Sequence, residues 1–276
     1  MNHKSQKIRS LVNMLIHRRA VVVVITMLFV LKMGGCLLTR KYIFPKVHGI
    51  VQPKVTNGKL VKIKNGSRHV YGYFSKRGKK LIVIFHGNGT TMANEAVVAR
   101  TFYNHGMSTL LVEYSGYGYA RKESASESNI YDDSEHIIQH IQKKYNFSVK
   151  DTTAWGRSLG SGVAVEMLKR ESISKAILVT PYTSIADVAS YKYVPILPYF
   201  LIVDNFNSLG KSFYIDEEVL LIHGKRDKLT PWFMSKRLHK TFKNSTLITL
   251  DKANHYNVLR YLNKNHWRRI VNFLYN

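Results

Sequence analysis

The chain is expected to fold as an α/β protein, with a mostly parallel central sheet and helices on both of its faces. Four short β-rich runs carry the expectation: Leu81 to Phe85, Thr109 to Glu113, Ala176 to Val179 and Val219 to Ile222. Each is continuously or nearly continuously apolar and bounded by turn or polar residues, the pattern of strands buried on both faces. Helix-compatible stretches alternate with them near 91–105, 127–146, 159–170, 232–241 and 257–274, and such alternation winds a parallel sheet. The length of 276 residues suits one large α/β domain.

Ahead of the first buried run, Val61-Lys62-Ile63 alternates, Asn65-Gly66 is a turn pair and Val70-Tyr71-Gly72-Tyr73-Phe74 follows. A β-hairpin is expected there. Thr152 to Trp155 is a weaker strand, and Thr246 to Leu250 alternates like a final one. Between Pro181 and Val219 there is space only for a minimal cap, containing the apolar stretch Tyr193 to Val203. Ordinary packing of a short helix over the sheet edge is the first reading of that stretch; lining an acyl pocket or dipping into a bilayer surface is the alternative.

The net charge of +25 is unevenly distributed. The first 94 residues hold 18 Lys and Arg and no acid, whereas the remainder carries 24 basic against 17 acidic residues. No nucleic-acid motif accompanies the charge, so no nucleic-acid partner is expected. The excess instead flanks a hydrophobic segment. Residues 1–38 read as a basic leader followed by a hydrophobic signal anchor or signal peptide, with Ala20 to Leu31 uninterrupted and the run extendable to Leu38 across Lys32. Gly34-Gly35-Cys36 loosely resembles a bacterial lipobox, so attachment as a lipoprotein through Cys36 is an alternative to an uncleaved anchor, and a cleaved soluble product or a buried helix is a third. Cys36 is the only cysteine, which excludes an intrachain disulfide. Residues 39–57 form a basic connector spaced by Pro45 and Pro53, and residues 58–276 make up the α/β domain.

The segment Gly156-Arg157-Ser158-Leu159-Gly160 places a G-x-S-x-G pentapeptide between a strand and a helix-like run. That context is a nucleophile elbow, in which Ser158 stands at a sharp turn and small neighbours let strand and helix pass closely. A serine hydroxyl is a poor nucleophile at neutral pH, so acyl transfer needs a base, a group orienting that base, and donors for the developing oxyanion. Asp227 follows the run Val219 to Ile222, and His255 follows Thr246 to Leu250. Both therefore lie in loops at the carboxyl edge of the sheet, where open α/β sheets bind ligands. Asn88, in the glycine-flanked loop His86-Gly87-Asn88-Gly89, and Leu159, just after Ser158, are the candidate oxyanion donors through their backbone amides. His86 and His223, each in a His-Gly pair, read as turn-shaping residues. Asp251 is a rival acid, set too close to His255 in sequence for the expected arrangement.

The order Ser158, Asp227, His255, together with H-G-N-G at 86–89, Tyr114-Ser115-Gly116-Tyr117-Gly118, G-R-S-L-G-S-G at 156–162, Pro181 to Asp187, H-G-x-x-D-x-x-T-P at 223–231 and Asn254-His255, resembles the membrane-associated α/β-hydrolase-domain serine hydrolases. That branch includes protein depalmitoylases and lipid hydrolases, and the resemblance covers roughly residues 55 to 275. It implies an α/β-hydrolase fold, with Ser158 as nucleophile, His255 as base, Asp227 as orienting acid, and Asn88 and Leu159 as oxyanion donors, without cofactor or metal. It further implies cleavage of an ester or thioester, lipid or acylated protein, at a membrane. A serine peptidase of the same fold, or a non-catalytic tethered binding protein on this scaffold, is the alternative. The sequence departs from its relatives around Lys252 to Asn257, which is poor in glycine and lacks their acidic residue, and at Asn65, where they carry an acid.

Overall fold

A computed structural model describes residues 40–45, 47, 49–192 and 202–275. Among these, eight strands form one sheet in the order β1-β2-β4-β3-β5-β6-β7-β8. They are β1 (Gly58–Asn65), β2 (Arg68–Ser75), β3 (Leu81–Phe85), β4 (Ser108–Glu113), β5 (Thr152–Arg157), β6 (Lys175–Val179), β7 (Glu218–Gly224) and β8 (Ser245–Leu250). The hairpin β1-β2 is antiparallel and joins β4 antiparallel; every later pairing is parallel. This is the α/β-hydrolase fold.

Strand periodicity decides how the sheet is clothed. Along β3, Leu81, Val83 and Phe85 enter one core, while Ile82 and Ile84 enter the other. The same division separates Ala154 from Trp155 on β5 and Leu178 from Ile177 on β6. One face is covered by α2 (Glu127–Tyr145), α3 (Leu159–Lys169) and α6 (Trp232–Thr241); the other is covered by α1 (Ala96–Asn104) and α7 (Lys264–Tyr275). Helix α2 starts where the Ser126 hydroxyl accepts the Asn129 amide at 3.1 Å and stops where Asn146 turns left-handed at φ 55°. The hairpin is tied to α2 through buried Asp133, which accepts from Arg68 at 2.9 Å and from Asn65 at 2.9 Å. The Asn65 carboxamide thus has a donor's task beside a carboxylate.

Three features differ from expectation. The stretch 257–274 is not one helix: a 3₁₀ turn at Val258–Tyr261 ends before α7, because Asn263 and His266 cap each other, Asn263 Oδ1 accepting the His266 amide at 3.0 Å and His266 Nδ1 accepting the Asn263 amide at 3.2 Å. Likewise 91–105 opens as a 3₁₀ turn (Met92–Glu95), with Asn94 Oδ1 accepting the Thr91 amide at 2.9 Å. Two short helices, α4 (Ile185–Lys192) and α5 (Ser208–Ser212), flank the apolar stretch of the cap region; residues 193–201 of that stretch lie outside the described residues.

The connector docks on the domain. Ile43 and Phe44 are buried, Phe44 edge-on to Phe206, and Arg40 donates to buried Asp204 at 2.6 Å. Among the described residues no helix is long and apolar enough to cross a membrane. The segment from Ala20 to Leu38 that suggested an anchor lies outside them.

Phe102 on α1 is fully buried and packs edge-on to both Trp155 of β5 and Trp267 of α7. Phe102→Ala is expected to cost about 3–5 kcal/mol of stability, read from the urea unfolding midpoint.

Candidate active site

The elbow is built by backbone crowding. A Cβ at Gly160 would sit 2.3 Å from the Phe85 carbonyl oxygen, and one at Gly156 would sit 2.3 Å from the carbonyl oxygen of Gly160. Only glycine lets β5, α3 and β3 approach this closely. The tight turn forces Ser158 to φ 51° and ψ −117°, a left-handed conformation that non-glycine residues rarely adopt. Its amide donates to the Val179 carbonyl at 2.9 Å, so the strain is held by β6.

Ser158, Asp227 and His255 come together at the carboxyl edge. His255 Nε2 lies 3.0 Å from Ser158 Oγ, and His255 Nδ1 lies 2.8 Å from Asp227 Oδ2. The imidazole thus bridges the serine and the carboxylate. Asp227 Oδ1 accepts the amides of Leu229 at 2.8 Å and Thr230 at 2.9 Å, which fixes the carboxyl plane. Burial alone would push the Asp227 carboxyl up; hydrogen bonds from His223 and His255 outweigh it and hold the group well below the usual carboxylate range. Asp251 is exposed and pairs with Lys225 at 2.7 Å, away from His255.

His223 has more than a turn to shape. Its Nε2 donates to the Thr230 carbonyl at 2.7 Å and lies 3.1 Å from Asp227 Oδ2, while Nδ1 meets the Ser235 hydroxyl at 2.5 Å. Thr230 Oγ1 also reaches Asp227 Oδ2 and His255 Nδ1, each at 3.1 Å. Sequence reasoning missed both residues as partners of Asp227; the H-G-x-x-D-x-x-T spacing was the available signal.

The loop carrying Asn88 lies against the elbow, since a Cβ on Gly87 would come within 3.6 Å of Ser158 Cβ. Asn88 is exposed, and its Oδ1 accepts from Tyr117 Oη at 2.7 Å. Leu159 opens α3 directly after Ser158. Beside the serine, Arg157 donates through Nε to buried Glu95 at 2.6 Å, tying the end of β5 to the turn that follows the Asn88 loop. Neither Arg157 nor Glu95 was singled out by the sequence.

The depressed carboxyl of Asp227 gives a signed expectation. Its stabilising contribution is present above the unfolded value of about 3.9 and is lost as pH falls through the folded value. The stability difference between wild type and Asp227→Asn should therefore be largest near neutrality and shrink below about pH 4, as followed by urea unfolding across pH.

Residues 76–215 match the sequence model of the Hydrolase_4 family, described as serine aminopeptidase. An α/β-hydrolase protein of Acanthamoeba polyphaga mimivirus is 24% identical over 199 residues, covering 71% of this chain and 74% of the viral protein. The lysophosphatidylserine lipase ABHD12 of Xenopus tropicalis is 26% identical over 180 residues, covering 58% of this chain. The match spans only 46% of that lipase. Among solved structures, an esterase of Pyrococcus furiosus superposes with a TM-score of 0.70 at 20% identity, covering 84% of this chain and 98% of the esterase. With half of its length matched by one family model and an α/β-hydrolase fold throughout the described domain, the chain belongs to the Hydrolase_4 (serine aminopeptidase) family.

Proposed function

We propose that the protein is a serine hydrolase that cleaves an ester or thioester, of lipid or acylated-protein type, through an acyl-enzyme on Ser158. The observation that carries this reading is the hydrogen-bonded line from Ser158 Oγ through the His255 ring to Asp227. In the proposed reaction, His255 Nε2 takes the hydroxyl proton as Ser158 Oγ attacks the acyl carbon. The imidazolium that forms keeps its Nδ1–H on Asp227, whose carboxylate stays ionised. The amides of Asn88 and Leu159 receive the oxyanion. His255 then gives its proton to the leaving alcohol or thiol, and the same groups work in reverse on water to release the acid. No residue needs a metal or cofactor for these steps.

The lipase and esterase names among the similar proteins support an ester. The family's description as a serine aminopeptidase favours a peptide instead, and substrate choice separates the two. The purified chain should be captured at Ser158 by a fluorophosphonate, with the adduct located by mass spectrometry and absent from Ser158→Ala. Turnover of acyl esters and thioesters should exceed that of aminoacyl amides, and Asp227→Asn should lower kcat by roughly 10⁴-fold. Faster cleavage of aminoacyl amides would select the peptidase reading, and failure of a folded protein to label would favour a binding role for the scaffold.

The proposal includes a membrane location through residues 1–38, by a signal anchor or by lipid on Cys36. It is supported by the apolar run with its basic flanks and by the course of the connector, which enters beside the site, Pro45 lying against Gly89. Exposed aromatic side chains at Tyr42, Tyr191 and Tyr256 suit an interface. The full chain should sediment with vesicles containing phosphatidylserine, and the chain lacking residues 1–38 should stay in the supernatant; equal partitioning would remove the anchor from the account.

A further inference from the structure

Beneath the loop that carries Asn88, the His86 ring is fully buried and stacked on Tyr114 with centroids 4.0 Å apart. Its Nδ1 lies 2.9 Å from the Gly87 carbonyl oxygen, an acceptor. The nearby Thr90 hydroxyl gives its own proton to that same carbonyl at 2.8 Å, so it too can only accept from the ring. Nδ1 therefore carries a proton. On the other side, Nε2 makes no hydrogen bond of good geometry, and the polar atom facing it is Glu113 Oε1 at 3.3 Å. Glu113 is 1% exposed, and its oxygens otherwise receive the amides of Met92 at 3.2 Å and Tyr119 at 3.4 Å.

Two acceptors thus confront the two ring nitrogens. A neutral ring with its proton on Nδ1 would turn the Nε2 lone pair toward a buried carboxylate. Moving that proton to Nε2 would turn a lone pair toward the Gly87 carbonyl instead. Both conflicts vanish when ring and carboxyl together hold one more proton, as imidazolium beside carboxylate or as neutral ring accepting from a carboxylic acid. The surrounding charges allow this. Glu95, the other buried carboxylate of the layer, is matched by Arg157, and burial pushes the Tyr114 and Tyr117 hydroxyls up, which keeps them neutral. With the extra proton the layer under the loop carries no net charge; without it a buried negative charge would stand unpaired.

We propose that His86 and Glu113 share this proton and serve as positioning residues for the oxyanion loop. Glu113 holds the imidazole from its Nε2 side, Nδ1–H holds the Gly87 carbonyl, and the following residue, Asn88, is thereby held in the loop that lies against Ser158. Tyr114 Oη, donating to the His86 carbonyl at 2.9 Å, fixes the other end of the same peptide stretch. The role rests on the reading of Asn88 as an oxyanion donor.

The test uses the full chain, with Glu113→Gln and Glu113→Leu. Kinetics on a soluble short-chain ester, thermal unfolding and nitrogen NMR of the histidine rings are measured together. The Gln amide can donate to Nε2, so Glu113→Gln should keep kcat within about threefold. Glu113→Leu leaves Nε2 without a polar partner and should lower kcat by roughly a hundredfold, with KM changed by less than about twofold. A purely structural role would lower thermal stability and leave the kcat of the folded fraction intact. In the wild type the His86 ring should be either an imidazolium or an Nδ1–H ring whose Nε2 resonance is that of a nitrogen accepting a hydrogen bond. A neutral Nε2–H ring, a neutral Nδ1–H ring with a bare Nε2, an unchanged kcat in Glu113→Leu, or equal losses in both variants would overturn the proposal. If Glu113→Leu does not fold, the wild-type ring spectrum decides. A wild type that neither turns over esters nor is captured at Ser158 overturns the ester reading and, with it, the positioning role, while the spectrum still reports the proton.

Discussion

The close passage of three backbones at the elbow is the constraint from which the site follows. With a Cβ excluded at Gly156 and Gly160 by carbonyl oxygens 2.3 Å away, β5 can hand over to α3 in a single residue. That residue, Ser158, must take a left-handed conformation, and its cost of about 1–3 kcal/mol is offset by the sheet that surrounds it. The same crowding sets the Asn88 loop against Ser158. Position, strain and access of the serine are thus consequences of packing before any catalytic chemistry is considered.

Around the elbow, three carboxylates are taken out of water, and each is provided for. Asp227 receives two amides, a hydroxyl and two imidazoles; Glu95 receives Arg157; Glu113 receives two amides and faces His86. An isolated buried carboxylate would instead take up a proton or destabilise the fold by several kcal/mol. Because these partners come from different strands and loops, the electrostatic demand of each acid also fixes the relative placement of its neighbours. Satisfying the charges and shaping the site are one process.

The N-terminal connector joins this arrangement from outside the sheet. Ile43 and Phe44 fill the core beside Phe206, and Arg40 neutralises Asp204, which itself accepts the first amide of α2 at 2.7 Å. Among the described residues of the connector, Arg40 thus has an electrostatic partner in Asp204, and Pro45 lies against Gly89 of the loop that carries Asn88.

Much of the fold was legible because it is written locally. Both-face burial of Leu81 to Phe85 leaves an uninterrupted apolar run, and the elbow leaves its glycines at fixed spacing. Helix α7 was placed, but its break at Asn263 was not, since capping by a side chain three residues away competes with an apolar period that runs straight through. Helices α4 and α5 are too short for their periodicity to stand out. By itself the sequence determined the strand and helix alternation and the chain order of Ser158, Asp227 and His255. Only the tertiary structure decided what each buried polar group meets. Ser158 and His255 are 97 residues apart, Arg157 and Glu95 are 62 apart, and the ring nitrogens of His86 acquire their acceptors only when β3 and β4 lie side by side. Local pattern records which side chains are buried; long-range packing selects their partners, because hydrogen-bond complementarity exists only between surfaces that the fold has already brought together.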